Sequence, residues 1–171
     1  MAALTDEGLH GAVFQMFNHG ITTAMLFLLV GVVYARVHHR KIDGFGGLRT
    51  QTPLYAGFVA LAFFASLGLP GLSSFISEVL VFLGSFKVYP TITILATLGI
   101  VLNAAFFLWV FQKIFLGTLP AQYKDLKDLS VVELIALVPL SFLILFLGIY
   151  PMPVLDLMKS TLTQLLTLVR T

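Results

Sequence analysis

The sequence contains no cysteine, and few of its residues carry a charge. Without cysteine, the chain forms no disulfides, thiolate metal sites or cysteine-ligated iron–sulfur clusters. Only 11% of its 171 residues are Asp, Glu, Lys or Arg, whereas a soluble domain carries about 25%. Because 58% of the residues are hydrophobic, the composition indicates an integral membrane protein and excludes a soluble enzyme.

A strong charge imbalance is also missing. The formal net charge is +2, and no basic stripe occurs outside two loops, so we expect no nucleic-acid partner. No glycine-rich dinucleotide signature is present, and we expect no bound cofactor and no metal. The first eleven residues, MAALTDEGLHG, are acidic and lack a basic segment, so we expect no cleavable signal peptide.

Long apolar runs dominate the sequence. A helix that crosses the bilayer needs about 20 apolar residues, and four segments meet this length: about 11–35, 54–86, 91–116 and 131–150. In the remainder, 151–171, leucines recur at helical spacing among polar residues, which predicts an interfacial amphipathic helix. Every connection is short. The expected fold is therefore all-α and polytopic, with residues 1–171 forming a single membrane domain.

Lysine and arginine in the loops predict the orientation, because these residues accumulate on the cytoplasmic side. Seven lie after the first and third spans: Arg36, Arg40, Lys41, Arg49, Lys113, Lys124 and Lys127. Three lie on the opposite side: Lys87, Lys159 and Arg170. This bias predicts four crossings with both ends of the chain outside.

The second span is too long for one continuous transmembrane helix. Its 33 residues would extend about 50 Å as a helix, whereas the hydrocarbon core is about 30 Å thick. Near its middle lies GLPGLSS, in which Gly68, Pro70 and Gly71 disfavour a continuous helix. Two interpretations are open, a hairpin of two short spans and one discontinuous helix. We prefer the discontinuous helix, because each half of a hairpin would be too short to cross.

Glu78 follows this break and is the ionisable residue of greatest interest. Unwound backbone at membrane depth must be buried in protein or line a wet cavity, and such breaks mark ion sites in transporters. A carboxylate there costs several kcal/mol unless it is paired or solvated. We interpret Glu78 as a proton-translocating group. The alternative is a glutamate near the far interface whose side chain reaches water.

The first span carries a polar stripe. Its members fall within about 140° of one helix face: Gln15, Asn18, His19, Thr22 and Thr23. An imidazole passes protons through either ring nitrogen near neutral pH, so His19 is a candidate proton relay, supported by Gln15, Asn18 and Thr22. A simple hydrogen-bonding role for His19 is the alternative.

Other polar residues predict structural roles. Asn103, alone in the third span, is expected to form an interhelical hydrogen bond. Ser130 and Glu133 have the spacing of a capping box at the start of the fourth span. His38 and His39 lie in a basic loop and are expected to be solvated.

Two long motifs carry a family resemblance. The segments GAVFQMFNHGITTAMLFLLVGVVYARVHHRKIDGFGGL and SLGLPGLSSFISEVLVFLGSF resemble the C-terminal part of subunit M, or chain 4, of proton-translocating NADH:quinone oxidoreductase (respiratory complex I). The resemblance continues to LGIYPMPVLD and covers nearly the whole chain. It implies an antiporter-like fold with a discontinuous helix broken at Pro70 and Gly71. It also implies that His19 lies on the central hydrophilic axis and that Glu78 is the terminal carboxylate.

The resemblance also implies a function and partners. The function would be proton translocation in the membrane arm, without a redox centre in this chain and without bound NADH, flavin or quinone. The partners would be other membrane-arm subunits, the lipid bilayer and transported protons, and the location a bacterial cytoplasmic membrane. Because only the last third of that subunit is represented, a partial gene, a split subunit and a fragment remain open. The alternatives are an Mrp-type cation/proton antiporter, a hydrogenase membrane subunit and a truncated fragment that moves no ions.

Overall fold

The computed structural model describes residues 3–170 and is entirely helical over that range. It contains six α-helices: α1 (Asp6–Val37), α2 (Pro53–Ser66), α3 (Ser73–Phe86), α4 (Pro90–Phe115), α5 (Val131–Ile149) and α6 (Met152–Arg170). Short 3₁₀ turns lie in the two basic loops, at Ile42–Gly44, Leu48–Thr50 and Ala121–Tyr123. The all-α prediction is therefore confirmed.

The second predicted span is one discontinuous helix. α1, which is about 48 Å long from its 32 residues, runs antiparallel to both halves. Its start contacts the end of α3, where Gly8 meets Gly84. Its end contacts the start of α2, where the Tyr55 hydroxyl donates to the Leu29 carbonyl over 3.1 Å. Because α2 and α3 follow one another along α1, they lie end to end, and the hairpin interpretation is wrong.

Glycines bring α1 and α3 into close contact. A Cβ atom at Gly11 would lie 2.7 Å from the Val81 nitrogen and 2.8 Å from the Ser77 carbonyl oxygen. One helix turn further out, a Cβ atom at Gly84 would collide with the Gly8 nitrogen. Small residues permit such backbone contact between membrane helices, where packing and hydrogen bonds replace the hydrophobic effect. The contact between α1 and α3 therefore requires glycine at these positions, because a larger side chain would not fit between the two helices.

Among residues 3–170, three helices are long and apolar enough to cross a membrane: α1, α4 and α5. α2 and α3 are shorter apolar helices, and together they form the predicted second span. The count of four crossings remains a prediction. α4 packs on the rest of the molecule mainly near its ends, and most of its side chains are exposed.

The C-terminal helix α6 is amphipathic, as predicted, but it does not face lipid alone. Leu162 and Leu166 are buried against Leu9 of α1. The periodicity of the sequence predicts such an apolar face, but it does not show whether protein or lipid covers it.

Near the two basic loops, an ion pair joins the end of α1 to the start of α5. Arg36 donates two hydrogen bonds of 2.8 Å to the Glu133 carboxylate, and Glu133 also completes the predicted capping box with Ser130.

The expectation that His39 is solvated is wrong. Its ring is half-buried against Phe45 and lies 2.6 Å from the Tyr123 hydroxyl, because the second basic loop folds over the first.

Candidate functional site

The helix break is a well-formed termination of α2. Gly68 adopts φ +69°, and its N–H donates to the Ala65 carbonyl over 3.2 Å. The Leu69 N–H reaches back to the Phe64 carbonyl over 3.1 Å. This pair of bonds is the Schellman motif, which normally places glycine at the left-handed position. The following Pro70 cannot continue the helix, so the break is encoded locally.

Asn103 on α4 satisfies a carbonyl that the break leaves free. In a continuous helix the Ser66 carbonyl would accept from the N–H of residue 70, which is proline and has none. The side-chain amide of Asn103 donates to that carbonyl over 3.1 Å. The predicted interhelical hydrogen bond is confirmed. It explains why a polar side chain occurs in the otherwise apolar helix α4.

Glu78 lies beside the break. Its side chain is half-buried, and a Cβ atom at Gly68 would collide with its carboxyl group. Among the described residues, 3–170, no group donates a hydrogen bond to this carboxyl and no cation lies within 4.0 Å. The chain therefore places an ionisable group at unwound backbone without a neutralising partner of its own.

The polar stripe of α1 separates into two parts. Asn18 is completely buried and donates to the Ser73 carbonyl over 2.9 Å and to the Ser77 hydroxyl over 3.2 Å. Gln15 also hydrogen-bonds to Ser77, and Thr22 donates to the Asn18 carbonyl over 2.8 Å. Gln15 and Asn18 therefore contact the first turns of α3, the helix that carries Glu78, whereas the hydrogen bond of Thr22 stays within α1.

His19 belongs to the other part. It is exposed, and its ring lies 3.3 Å from the Thr23 hydroxyl one turn along the same helix. Within residues 3–170, no hydrogen bond connects His19 with Glu78. A relay between these two groups is therefore not assembled by the described part of the chain alone.

Two buried polar atoms lie where α1 packs against the start of α3. The Oδ1 atom of Asn18 and the Oγ atom of Ser73 have no hydrogen-bond partner among the described residues. Both side chains are fully buried. Buried groups of this kind commonly bind water. Asn18 belongs to the predicted polar stripe and Ser73 to the GLPGLSS motif, but neither pattern shows that these atoms lack a partner in the described chain. No cluster of three His, Asp or Glu side chains arranged for metal binding occurs in the part of the chain that the structure describes.

Comparisons with known proteins show which sequences this chain resembles. The sequence profile of the NADH:quinone oxidoreductase/Mrp antiporter transmembrane family matches residues 1–103. NADH-quinone oxidoreductase subunit M of Rickettsia bellii is 39% identical over 96% of this chain and 33% of its own length. NADH-ubiquinone oxidoreductase chain 4 of Chondrus crispus is 40% identical over 98% of this chain and 34% of its own length.

A solved structure is similar as well. A chain in the respiratory complex I of Thermus thermophilus with bound NADH matches with a TM-score of 0.85 and 33% identity. The match covers 96% of this chain and 35% of that one. The chain thus spans about one third of the length of the curated relatives it matches.

Proposed function

Because this chain belongs to the NADH:quinone oxidoreductase/Mrp antiporter transmembrane family, we propose that it acts as the C-terminal part of a proton-translocating subunit. The host complex would be the membrane arm of NADH:quinone oxidoreductase. The names of its relatives support this assignment, since they are subunit M and chain 4 of that enzyme. Its role is proton transport coupled to quinone reduction elsewhere in the complex, and this chain itself carries no redox centre.

The position of Glu78 against Gly68 is the observation that carries the proposal. An ionised carboxyl group away from bulk water needs a partner or solvation, and residues 3–170 supply no donor or cation to Glu78. Taking up a proton removes this need. Glu78 therefore binds and releases a proton as water or an external group reaches it, and the break gives such groups access through unwound backbone.

His19 performs the second proton transfer from the outward face of α1. The side chain is exposed in this chain, and its neighbours Met16 and Phe17 are exposed too. This chain spans about one third of the length of its relatives, and the remaining part of such a subunit would cover this face. In that setting Gln15 and Asn18 position α3, and Thr22 supports Asn18 through its carbonyl. His19 connects Glu78 to the rest of the proton path. The partners are membrane-arm subunits in a bacterial cytoplasmic membrane.

Replacing Glu78 with glutamine in an assembled complex containing this segment tests the proposal. The amide preserves shape but cannot titrate, so proton pumping coupled to quinone reduction should fall by about tenfold or more, with assembly unchanged. Asp125→Asn is the matched control, because Asp125 is an exposed loop carboxylate. His19→Ala should impair pumping less, since water substitutes in a proton chain. Normal pumping by assembled Glu78→Gln would refute the proposal.

The same assay distinguishes the alternatives. Sodium-dependent transport without NADH-dependent activity would indicate an Mrp-type antiporter. The family that matches this chain includes Mrp antiporters in its description. Membrane insertion and assembly with no dependence of transport on Glu78 would indicate a structural fragment.

A further inference from the structure

A cavity of about 210 Å³ lies between α1, α2 and α4, next to the first basic loop. Val30 and Val33 of α1, Val59 of α2 and Ile114 of α4 contribute to its walls. Loop residue Arg40 also lines it. Along α1 the cavity lies at residues 26–33, whereas Gln15 and Asn18, nearer the start of this helix, contact α3.

The walls suit hydrocarbon and not water. Tyr55 carries a hydroxyl in the lining, but this hydroxyl already donates to the Leu29 carbonyl over 3.1 Å. A buried water needs two to four polar partners, and the aliphatic and aromatic side chains that make up nearly all of the lining offer none. An apolar occupant would make dispersion contacts with these lining atoms.

A cation lies where the cavity meets the loop. The Arg40 guanidinium carbon lies 4.9 Å from the centre of the Tyr34 ring. Within residues 3–170, Arg40 forms no ion pair with a carboxylate. The neighbouring acid Asp43 is already paired with Lys113 over 3.1 Å. Arg40 is therefore free to bind an anionic group, and guanidinium binds phosphate oxygens in a bidentate manner.

We propose that this cavity binds one acyl chain of an anionic phospholipid, whose phosphate group pairs with Arg40. The order of groups fits a lipid, because the charge is at the water-facing loop and the apolar walls extend inward between the helices. Basic pockets between transmembrane helices on the cytoplasmic side are suited to anionic head groups. The loop that carries Arg40 is the one that the distribution of lysine and arginine places on that side.

Native mass spectrometry of the purified full chain tests the site. Phosphatidylglycerol and phosphatidylcholine with identical acyl chains are the two probes. Phosphatidylglycerol should remain bound at a concentration about tenfold lower, because only its head group has a net negative charge. Arg40→Gln should abolish this preference. Arg49→Gln is the control, since Arg49 is an exposed arginine of the same loop that does not line the cavity.

A second pair of variants tests the acyl-chain pocket. Val30→Trp at the cavity mouth should reduce retention of both lipids, whereas Val101→Trp, at an exposed position on α4 outside the cavity, should not. Ile114→Trp gives an independent filling variant, and circular dichroism verifies helicity in each case. Equal retention of the two lipids by the unmodified chain, an unchanged preference in Arg40→Gln, or unaffected binding in both helical filling variants would overturn the proposal.

Discussion

The carboxyl group of Glu78 lies against the backbone of Gly68, ten residues earlier in the chain, where a Cβ atom would collide with it. Gly68 has φ +69° and ends α2, whereas Glu78 lies in the second turn of α3. The side chain therefore reaches back across the break. The helix interruption and the ionisable group are one local unit, and a change in either should affect the other.

Gly68→Ala should destabilise the fold by about 1–2 kcal/mol from the left-handed backbone. It should also displace the Glu78 carboxyl group, which is the end of a flexible side chain and can move at little further cost. Equilibrium unfolding in mixed micelles measures the free energy. Gly71→Ala separates the two effects, since Gly71 has φ +92° but an added Cβ atom there would have no neighbour within 4 Å. Gly57→Ala, in an open part of α2, should be neutral or stabilising. A Gly68→Ala variant as stable as Gly57→Ala would contradict the described break.

Gly11→Ala should weaken the contact between α1 and α3. The added methyl group would meet the Val81 and Ser77 backbones at 2.7–2.8 Å, and overpacking of this kind costs about 1–3 kcal/mol. Gly20→Ala on the same helix is the control, because nothing lies within 4 Å of that position. Unfolding free energies compare the two, and an equal effect of both changes would show that the helices do not approach closely.

Arg36 and Glu133 should be energetically coupled. Their side chains retain only 21% and 24% of their exposure and form a two-point hydrogen bond, so a double-mutant cycle with Gln at both positions should give about 1 kcal/mol. The pair Lys113–Asp43, which is 46% and 87% exposed, should show weaker coupling that high salt abolishes. If the coupling energy of Lys113–Asp43 equalled or exceeded that of Arg36–Glu133, partial burial would not be what strengthens the Arg36–Glu133 pair.

The basic loops should lie in the cytoplasm. Single cysteines at Thr50 and Thr161, which are both exposed, can be labelled cleanly because the chain has no native cysteine. A membrane-impermeant maleimide should label residue 161 in intact cells and residue 50 only after permeabilisation. The reverse pattern would invert the topology, and labelling of both sites in intact cells would contradict the odd number of crossings predicted between them.

Several features follow from local sequence. Apolar runs predict the helices, and their ends agree to within a few residues, except that α1 begins five residues earlier than expected. The break follows from Gly68, which has no Cβ atom, and from Pro70, which has no backbone N–H. The capping box follows from the spacing of Ser130 and Glu133. All of these are properties of contiguous residues, so no tertiary contact is needed to predict them.

Other features depend on contacts between distant segments. The polar stripe predicts that residues 15, 18 and 19 share one face of α1, but packing against α3 buries Asn18 and leaves His19 exposed. The partner of Arg36 is 97 residues away, and the half-buried position of His39 depends on a loop that folds back from α4. By itself, the sequence determined the helices, the break and the candidate ionisable groups, because these depend on local propensity and composition. Only the tertiary structure decided which polar groups meet, because helical periodicity defines a face but not the surface that packs against it.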